Sequence, residues 1–147
     1  MILKVQEILE QEGWHYEKRD NDVLLVVSYL TRKWKMVVSC DGDGRICCFS
    51  VYPWQAAADG SVTADRQAAI MAALNDLNLA QRRGCFMLNP KDLSVVYRCG
   101  VQILDEFTAQ DYIKDILFSS VASVNRNWEK IYSIIRGGSN GERCVEY

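Results

Sequence analysis

The chain has 147 residues, of which 49% are hydrophobic and 24% are charged, and its formal net charge is -2. This is the usual size and composition of one globular domain that buries a core without disulfides or metals. The weak negative charge argues against nucleic acid as a partner, because phosphate backbones bind to basic surfaces. Acidic residues follow the first methionine closely, and no apolar run approaches a membrane span. We therefore expect a cytoplasmic protein without a membrane segment.

The first third of the chain predicts one helix followed by strands. Apolar residues recur at helical spacing over residues 2–12, and Gly13 follows as a typical helix-terminating glycine. Alternating or continuous apolar patterns predict strands over residues 14–18, 23–30, 34–40 and 46–52. Pro53 is expected to end the last strand, because proline has no N–H to donate to a ladder. Short turns separate the runs, which predicts an antiparallel meander.

The remaining elements complete an α+β order. Helical periodicity returns from Thr63, and a hairpin follows over residues 85–99 around a turn at Pro90. Thr108 and Asp111 have the spacing of a capping box at a helix start. An apolar stripe then continues to about Arg136 and predicts one long helix lying on the core. The order is helix, strands, helix, hairpin, long helix, forming a single domain over residues 1–136, with a mobile tail over residues 137–147.

The residues that carry chemistry form no recognisable catalytic or metal-binding pattern. The chain has one histidine, His15, and it lacks the paired cysteine spacing of zinc sites and the C-x-x-C redox motif. Most of the six cysteines lie in apolar strand-like runs, so we expect reduced thiols that pack as small hydrophobes. We predict no catalytic residue, cofactor or metal. One alternative is a cysteine–histidine pair, formed by His15 with Cys40, Cys85 or Cys99.

Four residues are candidates for contact with a partner. Residues 23–30 are apolar on both sides of the predicted strand, and only the last of the three predicted helices is long. If the helices cannot cover both sheet faces, Leu24 and Val26 belong to an exposed apolar patch, which usually marks a protein interface. Trp34 lies on the apolar side of its strand, and Trp54 follows a proline in a loop-like stretch. Exposed tryptophan often anchors interfaces, and a symmetric homodimer is the commonest arrangement.

Three short segments resemble the bacterial YbjN-like family. They are residues 74–78 (LNDLN), 84–88 (GCFML) and 96–98 (VYR). The element order over residues 2–136 resembles this family as well. The resemblance implies a fold like that of type III secretion chaperones, which are small dimeric α+β proteins that bind client polypeptides. Family members are labelled sensory-transduction regulators without an established reaction, so the resemblance brings no catalytic residues.

The residues and the resemblance together predict a non-catalytic protein-binding module, chaperone-like or a regulatory adaptor, with an unknown protein client. Two alternatives remain. A cysteine-dependent redox sensor or enzyme would need an accessible thiol beside a base or a cation. A small-ligand sensor would need an enclosed pocket.

Overall fold

The computed structural model describes residues 1–56 and 62–137 of the chain. In chain order its elements are α1 (Ile2–Gln11), β1 (Glu17–Arg19), β2 (Asp22–Tyr29), β3 (Arg32–Cys40), β4 (Arg45–Gln55), α2 (Ala64–Leu79), β5 (Cys85–Leu88), β6 (Ser94–Gln102), α3 (Ala109–Arg126) and α4 (Trp128–Ile135). The strands form one antiparallel sheet in the order β1-β2-β3-β4-β6-β5. The predicted α+β fold is therefore confirmed. Residues 138–147 of the predicted tail lie outside the described residues.

All four described helices contribute to one buried cluster on one face of the sheet. Each central strand sends alternate side chains into this cluster, as the two-residue period of a strand requires. The sheet supplies Val23, Leu25 and Val27 of β2, Trp34, Met36 and Val38 of β3, Ile46 and Cys48 of β4, and Val95, Tyr97 and Cys99 of β6. The helices supply Val5, Ile8 and Leu9 of α1, Ile70 and Leu74 of α2, Ile113 and Ile116 of α3, and Ile131 and Ile135 of α4.

The end of α1 follows the prediction, but the strand after it does not. Gly13 adopts a φ of 72°, and its N–H donates to the Glu10 carbonyl. The Trp14 N–H donates to the Leu9 carbonyl, which completes a Schellman cap. Trp14 therefore belongs to the helix terminus. The predicted strand over residues 14–18 is wrong in its first half, and β1 begins only at Glu17.

A side chain caps the N-terminus of α2, whereas the N-terminus of α3 is not capped as the sequence predicts. Thr63 caps α2, since its hydroxyl accepts a hydrogen bond of 3.1 Å from the Arg66 N–H. Thr108 makes no such bond to α3, so the predicted capping box is wrong. Asp105 instead accepts a hydrogen bond of 2.9 Å from the Phe107 N–H and forms the turn that leads into α3.

The predicted long helix is broken at Asn127. The Tyr52 hydroxyl donates to the Val124 carbonyl at 2.9 Å. Arg32 Nη1 donates to the carbonyl and the side-chain oxygen of Asn125, at 2.9 and 2.7 Å. Side chains of the sheet thus bond two carbonyls at the break, where the internal helix ladder is interrupted. The apolar stripe continues in phase across the break, which is why periodicity alone predicts one helix.

The segments that carry the family resemblance meet at the outer edge of β5. Asn78 of α2 donates through Nδ2 to the Phe86 carbonyl at 3.0 Å and accepts from the Phe86 N–H at 2.6 Å. This side-chain amide takes the place of a neighbouring strand at that position. Gly84 has a φ of 70° and packs on Tyr97, whose hydroxyl donates to the Arg83 carbonyl at 2.9 Å. These residues have structural roles in this chain.

Gly84→Ala is expected to lower the free energy of unfolding more than Gly13→Ala does. Both glycines have a positive φ, so each substitution costs about 1–2 kcal/mol in backbone strain. A Cβ at Gly84 would also collide with the Tyr97 hydroxyl, whereas the space around Gly13 is open. This collision should add about 1–3 kcal/mol. Urea unfolding of the two variants measures the difference, and equal losses would contradict the packing of Gly84 on Tyr97.

Candidate functional site on the open face of the sheet

The candidate site is the face of the sheet that points away from the buried cluster, which we call the open face. Its main residues are Leu24, Val26 and Ser28 of β2, Lys33, Lys35, Val37 and Ser39 of β3, Cys47, Phe49 and Val51 of β4, Val96 and Arg98 of β6, and Cys85 and Met87 of β5. None of them belongs to the cluster that the described helices bury. The open face is therefore apolar surface left over after the chain has formed its own core.

Strand register collects the apolar residues of the open face into two adjacent rows. The first row is Leu24–Val37–Phe49–Arg98–Cys85, and the second is Val26–Lys35–Val51–Val96–Met87. Five strands at about 4.8 Å spacing make each row about 19 Å long. Val26 is 61% exposed and Met87 is 37% exposed. Between these two ends, Val51 is half-buried and Val96 is 9% exposed. Apolar residues grouped on one face of a sheet favour an interaction surface.

The structure separates the four residues that the sequence proposes for partner contact. Leu24 and Val26 lie together on the open face. Trp34 is only 2% exposed and packs on Trp128, with ring centroids 5.6 Å apart. Its place among the partner-contacting candidates is therefore corrected, because alternation along β3 directs its side chain into the core. Partner contact by Leu24, Val26 and Trp54 stays a prediction.

Trp54 is the centre of an aromatic cluster that joins the end of β4 to α4. Its ring stacks on Tyr52 at 5.9 Å with 19° between the planes. It meets Trp128 and Tyr132 edge-on at 4.7 and 4.8 Å. The side chain is half-buried. These contacts anchor Trp54 to the helical layer, and the rest of its surface borders a cleft in the sheet.

The cleft opens where β3 and β4 separate. Their pairing ends at Lys35 opposite Val51, although β4 continues through Pro53 to Gln55. Hydrogen-bonded pairs alternate with non-bonded pairs along an antiparallel ladder. Asp41 and Arg45 form the bonded pair at the β3–β4 turn, and every second pair along the ladder from there is bonded, including Lys35–Val51. The next bonded pair beyond Lys35–Val51 would be Lys33 with Pro53. Pro53 has no N–H to donate there, so it ends the pairing with β3 rather than the strand itself.

On its other side, β4 also departs from regular pairing. Between the pairs Val51–Val96 and Gln55–Ser94 the chain advances four positions along β4 but only two along β6. Such a bulge bends the strand away from the plane of its neighbours. The resulting cleft has a volume of about 600 Å³ and is bordered by Trp34 from the core and by side chains of the open face.

Within the described part of the chain, no group of three or more His, Cys, Asp or Glu side chains could hold a metal ion. Cys48 and Cys99 oppose each other on the buried face, where both are inaccessible. Cys47 lies on the open face and its sulfur accepts a hydrogen bond of 3.2 Å from Arg98 Nε. His15 is exposed and borders a second groove beside β2, and the described residues that line this groove include no cysteine. The alternative of a cysteine–histidine pair therefore gains no support from the geometry.

Fold and site together define a class of protein. It is a two-layer α+β protein in which helices pack on one face of an antiparallel sheet and the other face presents apolar side chains. No helix within the described part of the chain is long and apolar enough to cross a membrane.

The fold is similar to that in the crystal structure of YbjN from E. coli, a protein described as a candidate transcription regulator. The TM-score is 0.57 with 10% identical residues, and the match covers 96% of this chain and 93% of that one. The resemblance to YbjN-like proteins is thereby confirmed as a shared fold. No protein-family model and no curated protein sequence matches the chain.

The free energy of unfolding is expected to fall as the pH rises from about 8 to about 10. Burial raises the pKa of the Cys48 thiol far above the ordinary value, and it raises the pKa of Cys99 in the same direction. Native thiols thus stay protonated while those of the unfolded chain ionise above about pH 8.5, which favours unfolding. Cys48→Ala should reduce this decline by up to about 1.4 kcal/mol per pH unit. Urea unfolding at several pH values tests this, and equal declines would contradict it.

Proposed function

We propose that this chain is a non-catalytic protein-binding module, a regulatory or chaperone-like adaptor, that holds a partner polypeptide on its open face. The observation that supports this proposal is the apolar band of two rows outside the buried cluster. Exposed apolar surface is unfavourable in water by about 25 cal/mol per Å². A partner that covers the band recovers this free energy, which makes the band a source of binding affinity.

The polar residues of the open face are arranged as in a protein interface. Lys33 lies beside the apolar band, while Arg98 interrupts its first row and Lys35 interrupts its second. The Arg98 guanidinium lies over the Phe49 ring, 5.8 Å from its centroid. Protein interfaces commonly combine an apolar centre, which contains aromatic and arginine side chains, with a polar rim. This composition favours a protein as the partner.

The comparisons support a regulatory role of the same general kind. YbjN shares the fold and is described as a candidate transcription regulator. The fold that the family resemblance implies belongs to dimeric proteins that bind client polypeptides. We propose a second copy of this chain as one occupant of the open face, because symmetric dimers are the commonest oligomers. A separate client protein is the other occupant that we propose.

Val26→Asp is expected to release the partner, because covering the band would then bury an unpaired carboxylate. The tagged chain is crosslinked in its own cells with an amine-reactive reagent and captured, and the linked peptides are identified by mass spectrometry. In the wild-type protein, links to a partner polypeptide should start from Lys33 and Lys35, which lie on the open face. Val26→Asp should reduce their yield at least about tenfold, equivalent to about 1.4 kcal/mol.

Leu104→Asp is the matched control for this experiment. Leu104 is 87% exposed and lies beyond the end of β6, outside the two rows of the band, so the substitution adds the same charge at a different place. It should leave the crosslinks unchanged. Links that start from Lys114 and Lys130 of the helical layer, with none from the open face, would contradict the proposed binding surface. Equal effects of Val26→Asp and Leu104→Asp would contradict it as well.

A further inference from the structure

We infer that the cleft between β3 and β4 is a binding site for a small anionic molecule with an aromatic body, such as an aromatic carboxylate. This inference concerns a different ligand from the protein partner proposed above, and it does not depend on that partner. The cleft volume of about 600 Å³ lies within the range of about 300–1,000 Å³ that small-molecule sites occupy.

The charges around the cleft favour an anion. Lys33, Lys35 and Arg136 border it, and none of them forms an ion pair with another described residue. The carboxylate that borders the cleft, Asp92, already accepts hydrogen bonds from the Ser94 N–H and the Ser94 hydroxyl, at 3.0 and 2.6 Å. Three cationic side chains and one carboxylate therefore border this depression, which leaves it positively charged within the described part of a chain whose formal net charge is -2.

The walls of the cleft favour an aromatic or apolar body. Trp54 and Pro53 border it from β4, and Val26 and Val51 border it from the open face. The Trp54 ring is fixed by its contacts in the aromatic cluster, so it offers a rigid surface for stacking. Apolar walls with a few charged groups at the mouth are the usual construction of a small-molecule site.

A buried donor supports the same inference. Trp34 borders the cleft, and its buried Nε1–H has no acceptor among the described residues. A buried polar group without a hydrogen-bond partner costs about 1–3 kcal/mol. A ligand oxygen that reached the indole would satisfy this donor. Because the indole N–H is fully buried, it becomes a partner only if the cleft widens on binding, and the lysines at the mouth are the first partners of the anionic end.

Nuclear magnetic resonance of the full chain tests the inference through the indole N–H signals of the tryptophans. The probe is naphthalene-2-carboxylate, and the control probe is naphthalene-2-carboxamide, which has the same rings without the charge. Titration with the carboxylate should shift the signals of Trp34 and Trp54. The signal of Trp14 should stay in place, because Trp14 borders the second groove beside β2. The carboxylate should bind at least about tenfold more tightly than the carboxamide.

The double variant Lys33→Gln/Lys35→Gln should remove the preference for the carboxylate. Both side chains are exposed, so the variant should fold as the wild type does. Lys114→Gln/Lys130→Gln removes the same charge from the helical layer and should retain the preference. Equal affinity for both probes, equal effects of the two double variants, shifts confined to Trp14, or no shift at saturating carboxylate would each overturn the inference. Since no partner protein is present, these outcomes do not bear on the proposed protein-binding role.

Discussion

The alternation of side chains along a strand divides every central strand of this sheet between two environments. In β2, Val23 and Val27 are buried under the helices, while Leu24 and Val26 point to the opposite side. The described helices fill only the first environment. Apolar side chains on the second side are therefore only partly covered by the described part of the chain, from 9% exposed at Val96 to 61% exposed at Val26. The open face and the proposed partner binding follow from this one-sided arrangement.

The sequence predicts this arrangement where its pattern is uninterrupted. Residues 23–30 contain no charged side chain, so both faces of the strand read as apolar, and in the structure Leu24 and Val26 lie on the open face. Trp34 is different, because lysines alternate with apolar residues along β3. The side that contains Trp34 and Met36 is the more apolar one, and this signal already favours the core over an interface.

A local sequence pattern does not predict features that depend on contacts between distant segments. The break at Asn127 arises because Arg32 and Tyr52 of the sheet bond to carbonyls at the end of α3. The cleft arises because a continued register would place Pro53 opposite Lys33, at a position where the ladder needs an N–H. A proline in a strand predicts an interruption, but only the register shows which neighbouring strand is released. A local pattern also does not show which residue precedes α3 as its cap, since Asp105 and Thr108 are both suitable capping residues.

The resemblance to YbjN-like proteins concerns residues that maintain the fold. Asn78 satisfies the backbone of Phe86 at the edge of β5, and Gly84 makes room for Tyr97. These contacts stabilise the fold that this chain shares with YbjN at 10% identity. They carry no chemistry, so the proposed binding role depends on the open face rather than on these segments.

Oxidation of methionines by dilute hydrogen peroxide tests the one-sided arrangement most directly. The native chain is treated in dilute solution, where a second copy does not cover the open face, and each methionine is followed by peptide mass spectrometry. Met87 on the open face is 37% exposed, Met71 on α2 is 58% exposed, and Met36 on the buried face is 0% exposed. The account predicts rapid oxidation of Met71 and Met87, with Met36 oxidised only as the protein unfolds. Equal rates for Met36 and Met87 would contradict it.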